Sequence, residues 1–199
     1  GPVTSIGNLY LGPFYYYFMA PFLWLSYPSP VGPAYGVALF SILTIILIWI
    51  TAKQMIGSVA AIVSSLLIST QAIIIEYSRF SWNPNIVPFF SLLIIYSLFK
   101  LHRSGHRRWI WIVMVSLAIL MQLHNVALLM PPITITILFL MIRQKNESQF
   151  TRSVIISLVF CALIVITPLL LFDLRHNFIL TNSFKEFVQG RELITSSQE

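Results

Sequence analysis

Three short polar segments interrupt an otherwise apolar chain and hold the side chains that could carry chemistry. They read Glu76-Tyr77-Ser78-Arg79-Phe80-Ser81-Trp82-Asn83-Pro84, His124-Asn125 and Asp173-Leu174-Arg175-His176-Asn177-Phe178. Acids, arginines, histidines and asparagines are costly beside a bilayer unless water or a ligand engages them. The three segments are therefore predicted to form a polar site at one face of a membrane.

Two arginines in these segments are candidates for binding a phosphate. A guanidinium group presents a planar fork that donates two parallel hydrogen bonds to phosphate oxygens. Arg175 directly follows the last long apolar run, at the level where a lipid phosphate would lie. Arg79 lies three residues after Glu76, so the two side chains can share a helix face. They would form either an ion pair that closes a helix end or a site acid beside an anion-binding arginine.

The other polar residues each have a structural interpretation beside a functional one. Trp82 suits the aromatic belt of a membrane interface, and together with Asn83 it also suits contact with a sugar. His124 lies between two apolar runs, and a lone histidine at a membrane interface more often has a structural role than a ligand-binding one. Asp173 and His176 would form an interfacial cap on the last helix if they serve structure alone.

The composition indicates an integral membrane protein. Of the 199 residues, 57% are hydrophobic and 9% are charged, and the mean hydropathy is +0.84. A soluble domain carries roughly 25% charged residues. The net charge of +6 does not indicate nucleic-acid binding, because most of the cations lie in short turns. Cys161 is the single cysteine, and the sequence shows no metal-ligand spacing, phosphate loop or nucleophile elbow. No metal site and no cofactor is therefore predicted, and the sequence leaves open whether the activity requires a divalent metal.

The apolar runs that must position the polar segments approach the length of about 20 residues that a membrane-spanning helix needs. Six spans are predicted, at Pro33–Thr51, Ser58–Ile75, Ile86–Phe99, Trp109–Leu123, Val126–Ile142 and Ser153–Phe172. Three basic turns, at Lys53, at 100–108 and at 143–152, alternate with the polar segments. The positive-inside rule places the basic turns in the cytoplasm and the polar segments on the outer face.

The ends of the chain are harder to assign. The aromatic run Pro13–Tyr27 suits a juxtamembrane helix at the outer interface better than a seventh span. The tail Thr181–Glu199 fits an amphipathic helix or the start of an outer loop. We expect residues 1–199 to be one partial transmembrane domain of a longer protein. Residues 1–32 would form the end of the first outer loop with the juxtamembrane helix, 33–172 the six spans, and 173–199 the start of another outer loop.

Several segments resemble glycosyltransferase family 39, which includes the protein mannosyltransferases and the lipid A aminoarabinose transferase. The similar segments are Gly1-Pro2-Val3-Thr4-Ser5-Ile6-Gly7-Asn8-Leu9-Tyr10-Leu11-Gly12-Pro13-Phe14-Tyr15-Tyr16-Tyr17, Ser78–Pro84, Gln122-Leu123-His124 and Phe172–Phe178. The resemblance implies a C-type glycosyltransferase fold and a bacterial inner-membrane enzyme with its site on the extracytoplasmic face. It implies transfer of a sugar from a polyprenyl-phosphate carrier to a lipid, glycan or protein acceptor.

In that family the catalytic base is an Asp in the first outer loop, before the juxtamembrane helix. The sequence has no Asp or Glu before Glu76, so this base is expected upstream of Gly1 and the chain alone is expected to be inactive. Arg79 and Arg175 become the candidates for binding the lipid phosphate. The candidates for sugar or acceptor contacts are Glu76, Trp82, Asn83, His124, Asp173 and His176.

Three other functional classes are alternatives for a chain of this composition. A transporter or flippase for lipid-linked oligosaccharides would need polar or charged residues near mid-bilayer, and the predicted spans have no charge at their centres. A polysaccharide polymerase or ligase would use a similar lipid carrier on a different fold. A structural membrane subunit would tolerate alanine at every polar residue named above.

Overall fold

The computed structural model describes residues 12–27 and 29–188, so the predicted loop segment 1–11 and the end of the tail lie outside the described residues. All regular secondary structure in the described part is helical, which confirms the predicted all-α membrane class. The helices are α1 (Phe14–Leu25), α2 (Val31–Met55), α3 (Ser58–Thr70), α4 (Ala72–Tyr77), α5 (Val87–Ser104), α6 (Arg108–Leu123), α7 (Met130–Lys145), α8 (Ser148–Arg175) and α9 (Ile179–Val188).

Four of the six predicted spans are long and apolar enough to cross a membrane. They are α2, α8, and the two segments Asn83–Ser104 and Asn125–Lys145, in which a 3₁₀ turn precedes α5 and α7. The other two predicted spans, α3 and α6, contain 13 and 16 residues. At a rise of about 1.5 Å per residue they are about 20 and 24 Å long, less than the roughly 30 Å of a hydrocarbon core.

The second predicted span is divided at Gln71. This residue has extended backbone (φ −69°, ψ 120°) and separates α3 from α4, so the helical ladder is interrupted there. Two helical pieces, α3 and α4, therefore connect the turn at Gly57 to the polar segment 76–84, which begins in the last turn of α4.

Helix α6 forms the centre of the described bundle. Most of its residues are buried, and it packs mainly against α5 and α8. Its short length follows from this position, because neighbouring helices rather than lipid cover its surface. The last turn of α6 carries Gln122 and leads directly into His124, so the most buried helix positions one of the three polar segments.

The three basic turns meet at one end of the bundle, which we call the basic end. Lys100 Nζ donates to Gln54 Oε1 (3.2 Å) and Arg103 Nη1 to the Gln54 carbonyl (3.5 Å), so the first turn contacts the second. Arg107 Nη1 donates to Gln149 Oε1 (3.0 Å), which joins the second turn to the third. The structure thus brings together the cations that the alternating sequence pattern assigns to one side.

Helix α1 packs closely on α2 through two glycines four residues apart. A Cβ atom built at Gly32 would lie 2.4 Å from the Phe22 carbonyl oxygen, and one at Gly36 would lie 2.9 Å from Met19 Sδ. Phe18 then contacts Phe40 across the interface, with ring centroids 5.7 Å apart. Small residues at such spacing let two helices approach closely in membranes. With 12 residues, α1 is too short to span, and its location at the outer interface stays a prediction.

The proline pair in the fifth predicted span does not kink a continuous helix. Pro131 and Pro132 lie in the first turn of α7, directly after the 3₁₀ turn Asn125–Leu129. Prolines are tolerated there because the first turn of a helix has no intrahelical partner for its N–H groups. The pair therefore sets where the α-helix begins.

We predict that the basic end faces the cytoplasm and the opposite end faces outward. In a Cys161→Ala background, Glu76→Cys should be labelled in intact cells by a membrane-impermeant maleimide. Ser104→Cys should be labelled only after the membrane is permeabilised, because it lies among the basic turns. Labelling of Ser104→Cys but not Glu76→Cys in intact cells would contradict this orientation.

Candidate functional site

The three polar segments lie at helix ends away from the basic end, and two of them contact α1. The Tyr15 hydroxyl and Ser81 Oγ lie 2.6 Å apart and share a hydrogen bond, which ties α1 to the loop after α4. A Cβ atom built at Gly12 would lie 2.2 Å from Gln122 Oε1, so the start of α1 also contacts the end of α6. We call this region, formed by 12–17, 76–86, 122–125 and 173–178, the polar end.

Asn85 shapes the loop between α4 and α5. Its Nδ2 donates to the carbonyl oxygens of Tyr77 (2.7 Å) and Phe80 (3.0 Å), so one side chain satisfies two backbone acceptors that no helix uses. The loop is thereby held in a fixed shape without regular secondary structure. This residue follows Pro84 and was not among the sequence-based candidates.

The same loop presents a group of three exposed aromatic side chains. Trp82 stacks on Tyr77 and on Phe80, with centroids 5.9 and 6.3 Å apart and interplanar angles of 23° and 25°. Trp82 is 48% exposed, so a ring face remains accessible. The group fits both sequence-based interpretations of Trp82, because an amphipathic ring at this level can contact a headgroup or a sugar.

Tyr15 is the buried partner of this loop. Its side chain is 4% exposed, whereas Tyr16 beside it is 47% exposed. Burial raises the pKa of the Tyr15 phenol above its ordinary value, and the hydrogen bond with Ser81 offsets only part of that effect. Tyr15 therefore serves as a neutral hydrogen-bonding group that positions the loop.

Glu76 and Arg79 lie at the polar end without a contact between their side chains. Helix α4 ends at Tyr77, and the turn that follows joins the two residues through the backbone, since the Arg79 N–H donates to the Glu76 carbonyl oxygen (3.1 Å). Both side chains are exposed, and neither has a hydrogen-bond or ion-pair partner among the residues whose side chains the structure describes. The ion pair considered from the sequence is therefore not formed.

His124 and Gln122 flank the end of α6. His124 Nδ1 accepts a hydrogen bond from the Val126 N–H (3.2 Å), so the ring caps the following 3₁₀ turn. The Gln122 amide nitrogen donates to the Ala118 and Ile164 carbonyl oxygens, both at 3.3 Å. Its Oε1 is buried without a hydrogen-bond partner in the described part of the chain. In the sequence, Gln122 is distinguished only as part of the segment Gln122-Leu123-His124.

Asp173 organises the turn between α8 and α9. Its Oδ1 accepts from the N–H groups of Leu180 (2.7 Å) and Thr181 (3.3 Å), and its Oδ2 accepts from the Thr181 hydroxyl. The carboxylate is 6% exposed and caps the first turn of α9, where an acid also interacts favourably with the helix dipole. Asn177 and Phe178 between the helices have positive φ angles of 54° and 60°, so this cap stabilises an uncommon backbone conformation.

Arg175 is left without an acidic partner two residues from that carboxylate. It is the last residue of α8 and is exposed, and no ion pair joins it to Asp173 in the described structure. His176 beside it stacks on Phe172 (centroids 4.1 Å apart), and its Nδ1 lies 2.8 Å from the Phe172 carbonyl oxygen. His176 thus packs on its own helix end, while the Arg175 guanidinium remains available to an anion.

The comparison with protein families gives one match. A family model described as dolichyl-phosphate-mannose-protein mannosyltransferase matches residues 11–172, which is most of the chain and includes α1–α7 with nearly all of α8. No curated protein and no solved structure gave a significant match.

We predict that the Tyr15–Ser81 hydrogen bond stabilises the docking of α1 on the loop. Tyr15→Phe and Ser81→Ala should each lower the free energy of unfolding in detergent, and a double-mutant cycle should give a coupling of about 1 kcal/mol. Tyr16→Phe is the matched control, since that side chain is far more exposed. A coupling near zero would show that the two hydroxyls do not depend on each other.

We predict that Asp173→Ala loosens the first turn of α9. Losing an N-cap costs about 1 kcal/mol, or about fivefold in a local opening equilibrium. Hydrogen exchange of the Leu180 and Thr181 amides should accelerate by about that factor. Asp173→Asn should show a smaller change, because its amide oxygen still accepts. Unchanged exchange in Asp173→Ala would contradict the capping role.

Proposed function

The chain belongs to the dolichyl-phosphate-mannose-protein mannosyltransferase family, a family of membrane glycosyltransferases, and from that membership we propose a specific donor and a specific role for its polar end. The proposed donor is a sugar linked to a polyprenyl phosphate. The proposed acceptor is a lipid, glycan or protein on the extracytoplasmic face of a bacterial inner membrane. The polar end would hold part of the site.

The availability of Arg175 is the observation that carries this proposal. Because α9 engages both oxygens of Asp173, this carboxylate forms no ion pair with Arg175 among the described residues, and the five guanidinium donors are available to a ligand. It lies at the end of a 28-residue candidate span, at the level where the phosphate of a carrier lipid would lie. A lipid phosphate would provide the anionic hydrogen-bond partner that Arg175 does not have among the described residues.

The proposed reaction is an inverting displacement at the anomeric carbon of the donor sugar. An acceptor oxygen attacks that carbon and loses its proton to a base, which in the family that the chain resembles is an Asp of the first outer loop. The bond between the anomeric carbon and the phosphate oxygen breaks, and the lipid phosphate leaves with one additional negative charge. Arg175 would stabilise this charge, with Arg79 as the second candidate, since charge stabilisation at the leaving group lowers the barrier.

The other candidates would contact the sugar or the acceptor. The aromatic group of Tyr77, Phe80 and Trp82 offers a flat apolar surface beside the acid Glu76, and Asn83 lies next to it in the chain. His124 and Asp173 support nearby backbone, so any contact that they or His176 make with a ligand stays a prediction. The expectation of no metal and no cofactor also stays a prediction.

A transporter receives less support from the structure. Among the described residues, the only buried residue with a charged side chain is Asp173, and it lies at a helix end rather than at mid-bilayer. Transport of a charged or sugar-bearing substrate generally needs polar groups near the bilayer midplane. Apart from Asp173, the buried polar side chains within α2, α5, α7 and α8 of the described structure carry hydroxyls, at Thr51, Ser97, Thr134 and Ser157.

We predict that Arg175→Ala strongly reduces sugar transfer by the full-length protein. Losing a charge-stabilising donor costs on the order of 2–4 kcal/mol, so the rate should fall by roughly 30-fold to 1,000-fold. Arg175→Lys should be intermediate, because an ammonium keeps the charge but not the planar fork. Transfer is measured in membranes with a radiolabelled polyprenyl-phosphate-sugar.

Arg152→Ala is the matched control for this measurement, because it removes an exposed arginine from α8 at the basic end. It should transfer sugar at the normal rate. Immunoblotting should show normal amounts of all three variants in the membrane, so that lost transfer is not lost protein. Normal transfer by Arg175→Ala at normal abundance would assign the phosphate to Arg79 or to another part of the protein.

A further inference from the structure

An apolar groove of about 390 Å³ lies near the basic end, between the end of α2 and helices α5 and α7. On α5 it is lined by Ile95, Leu98, Phe99 and His102, and on α7 by Ile137, Leu140, Met141 and Gln144; Met55 closes one side. Each set follows the spacing i, i+3, i+4, i+7, so each helix turns one continuous stripe toward the groove.

The groove changes from apolar to polar along its length. Its first three lining residues on each helix are hydrocarbon side chains or a thioether, and the last one, nearest the basic turns, is His102 or Gln144. The Arg103 guanidinium lies over the ring of Phe99, 6.0 Å from its centroid, and donates to the Gln54 carbonyl. A cation therefore stands at the mouth, directly against a residue that lines the groove.

The charge around this mouth is one-sided. On α5, Arg103 follows His102 and lies against the lining residue Phe99. On α7, Arg143 precedes Gln144, and its guanidinium lies over the ring of Phe139, outside the lining set, 5.0 Å from the ring centroid. Between residues 31 and 172 the sequence has acids only at Glu76, at the polar end, and Glu147. Glu147 lines a separate groove between α7 and α8. The mouth is thus complementary to an anion.

We propose that this groove binds an acidic phospholipid from the leaflet on the basic side. One acyl chain lies between α5 and α7, and the headgroup phosphate lies at Arg103, His102 and Gln144. The site is separate from the polar end, where the proposed sugar donor binds, and does not depend on the proposed function. It would attach a structural or regulatory lipid to the helices that carry the basic turns.

The acidic headgroup, rather than the acyl chain, determines the selectivity of such a site. An acyl chain gains no hydrophobic free energy by moving from the bilayer to an apolar groove, because both surroundings are hydrocarbon. A cation near the headgroup region contributes about 1 kcal/mol toward an anionic lipid, which is about fivefold in affinity. A neutral phospholipid of identical chains should therefore bind more weakly.

The test measures lipid binding by native mass spectrometry of the purified protein released from detergent micelles. Phosphatidylglycerol is compared with phosphatidylcholine of the same two acyl chains, each titrated separately. The groove variants are Arg103→Gln, which removes the cation at the mouth, and Leu140→Trp, which fills the groove. The matched controls are Arg152→Gln, an exposed cation of the same end, and Leu163→Trp, an exposed leucine of α8.

We expect the unmodified protein to bind one phosphatidylglycerol at least fivefold more tightly than phosphatidylcholine. Arg103→Gln should lower phosphatidylglycerol affinity about fivefold with little change for phosphatidylcholine, and Leu140→Trp should lower the affinity for both. The two controls should stay within twofold of the unmodified protein. Equal binding of the two lipids, or equal losses in Arg103→Gln and Arg152→Gln, would overturn the proposal and indicate diffuse attraction instead.

Discussion

A bilayer offers no hydrogen-bond partner to a polypeptide backbone, and most features of this chain follow from that constraint. The backbone of the described spans is helical, so its polar groups pair within each helix. Two hydroxyls inside α2 obey the same rule, because Thr44 donates to the Phe40 carbonyl (2.7 Å) and Thr51 to the Leu47 carbonyl (2.6 Å). The hydroxyls of Ser97 and Thr134 are exceptions, since they are buried without a hydrogen-bond partner in the described part of the chain. Charged groups have no such internal solution, and they collect at the two ends of the bundle.

The polar end divides its residues between two tasks because the helices end there. A helix terminus leaves backbone groups unpaired, and Asn85, His124 and Asp173 each supply a side chain to such groups. Glu76, Arg79 and Arg175 have no comparable partner among the described side chains. The three side chains that bond to the backbone hold the loops in shape. The three without such a partner are the ones that we propose for contact with a ligand.

The sequence predicted the helical class, the locations of the runs and the grouping of the basic turns, because hydropathy and charge follow the membrane directly. It did not predict the break at Gln71 or the burial of α6, because a uniformly apolar run has no periodicity that separates lipid-facing from protein-facing sides. The bond between Tyr15 and Ser81 was also missed, since it joins residues 66 positions apart. For Asp173 a structural and a functional interpretation both fitted the sequence, because its capping contacts depend on how α9 follows α8.

The proposed role of Arg175 depends on how water is excluded. An exposed guanidinium in contact with water interacts only weakly with a passing anion, because the solvent screens the pair. A lipid-linked phosphate differs, since its hydrocarbon chain lies in the bilayer and holds the phosphate at the helix end, where surrounding lipid and protein lower the effective dielectric. The attraction to Arg175 then strengthens as charge develops on the leaving phosphate. Had Asp173 paired with Arg175, this gain would be offset by the loss of that pair, so the contacts of Asp173 with α9 favour the role proposed for Arg175.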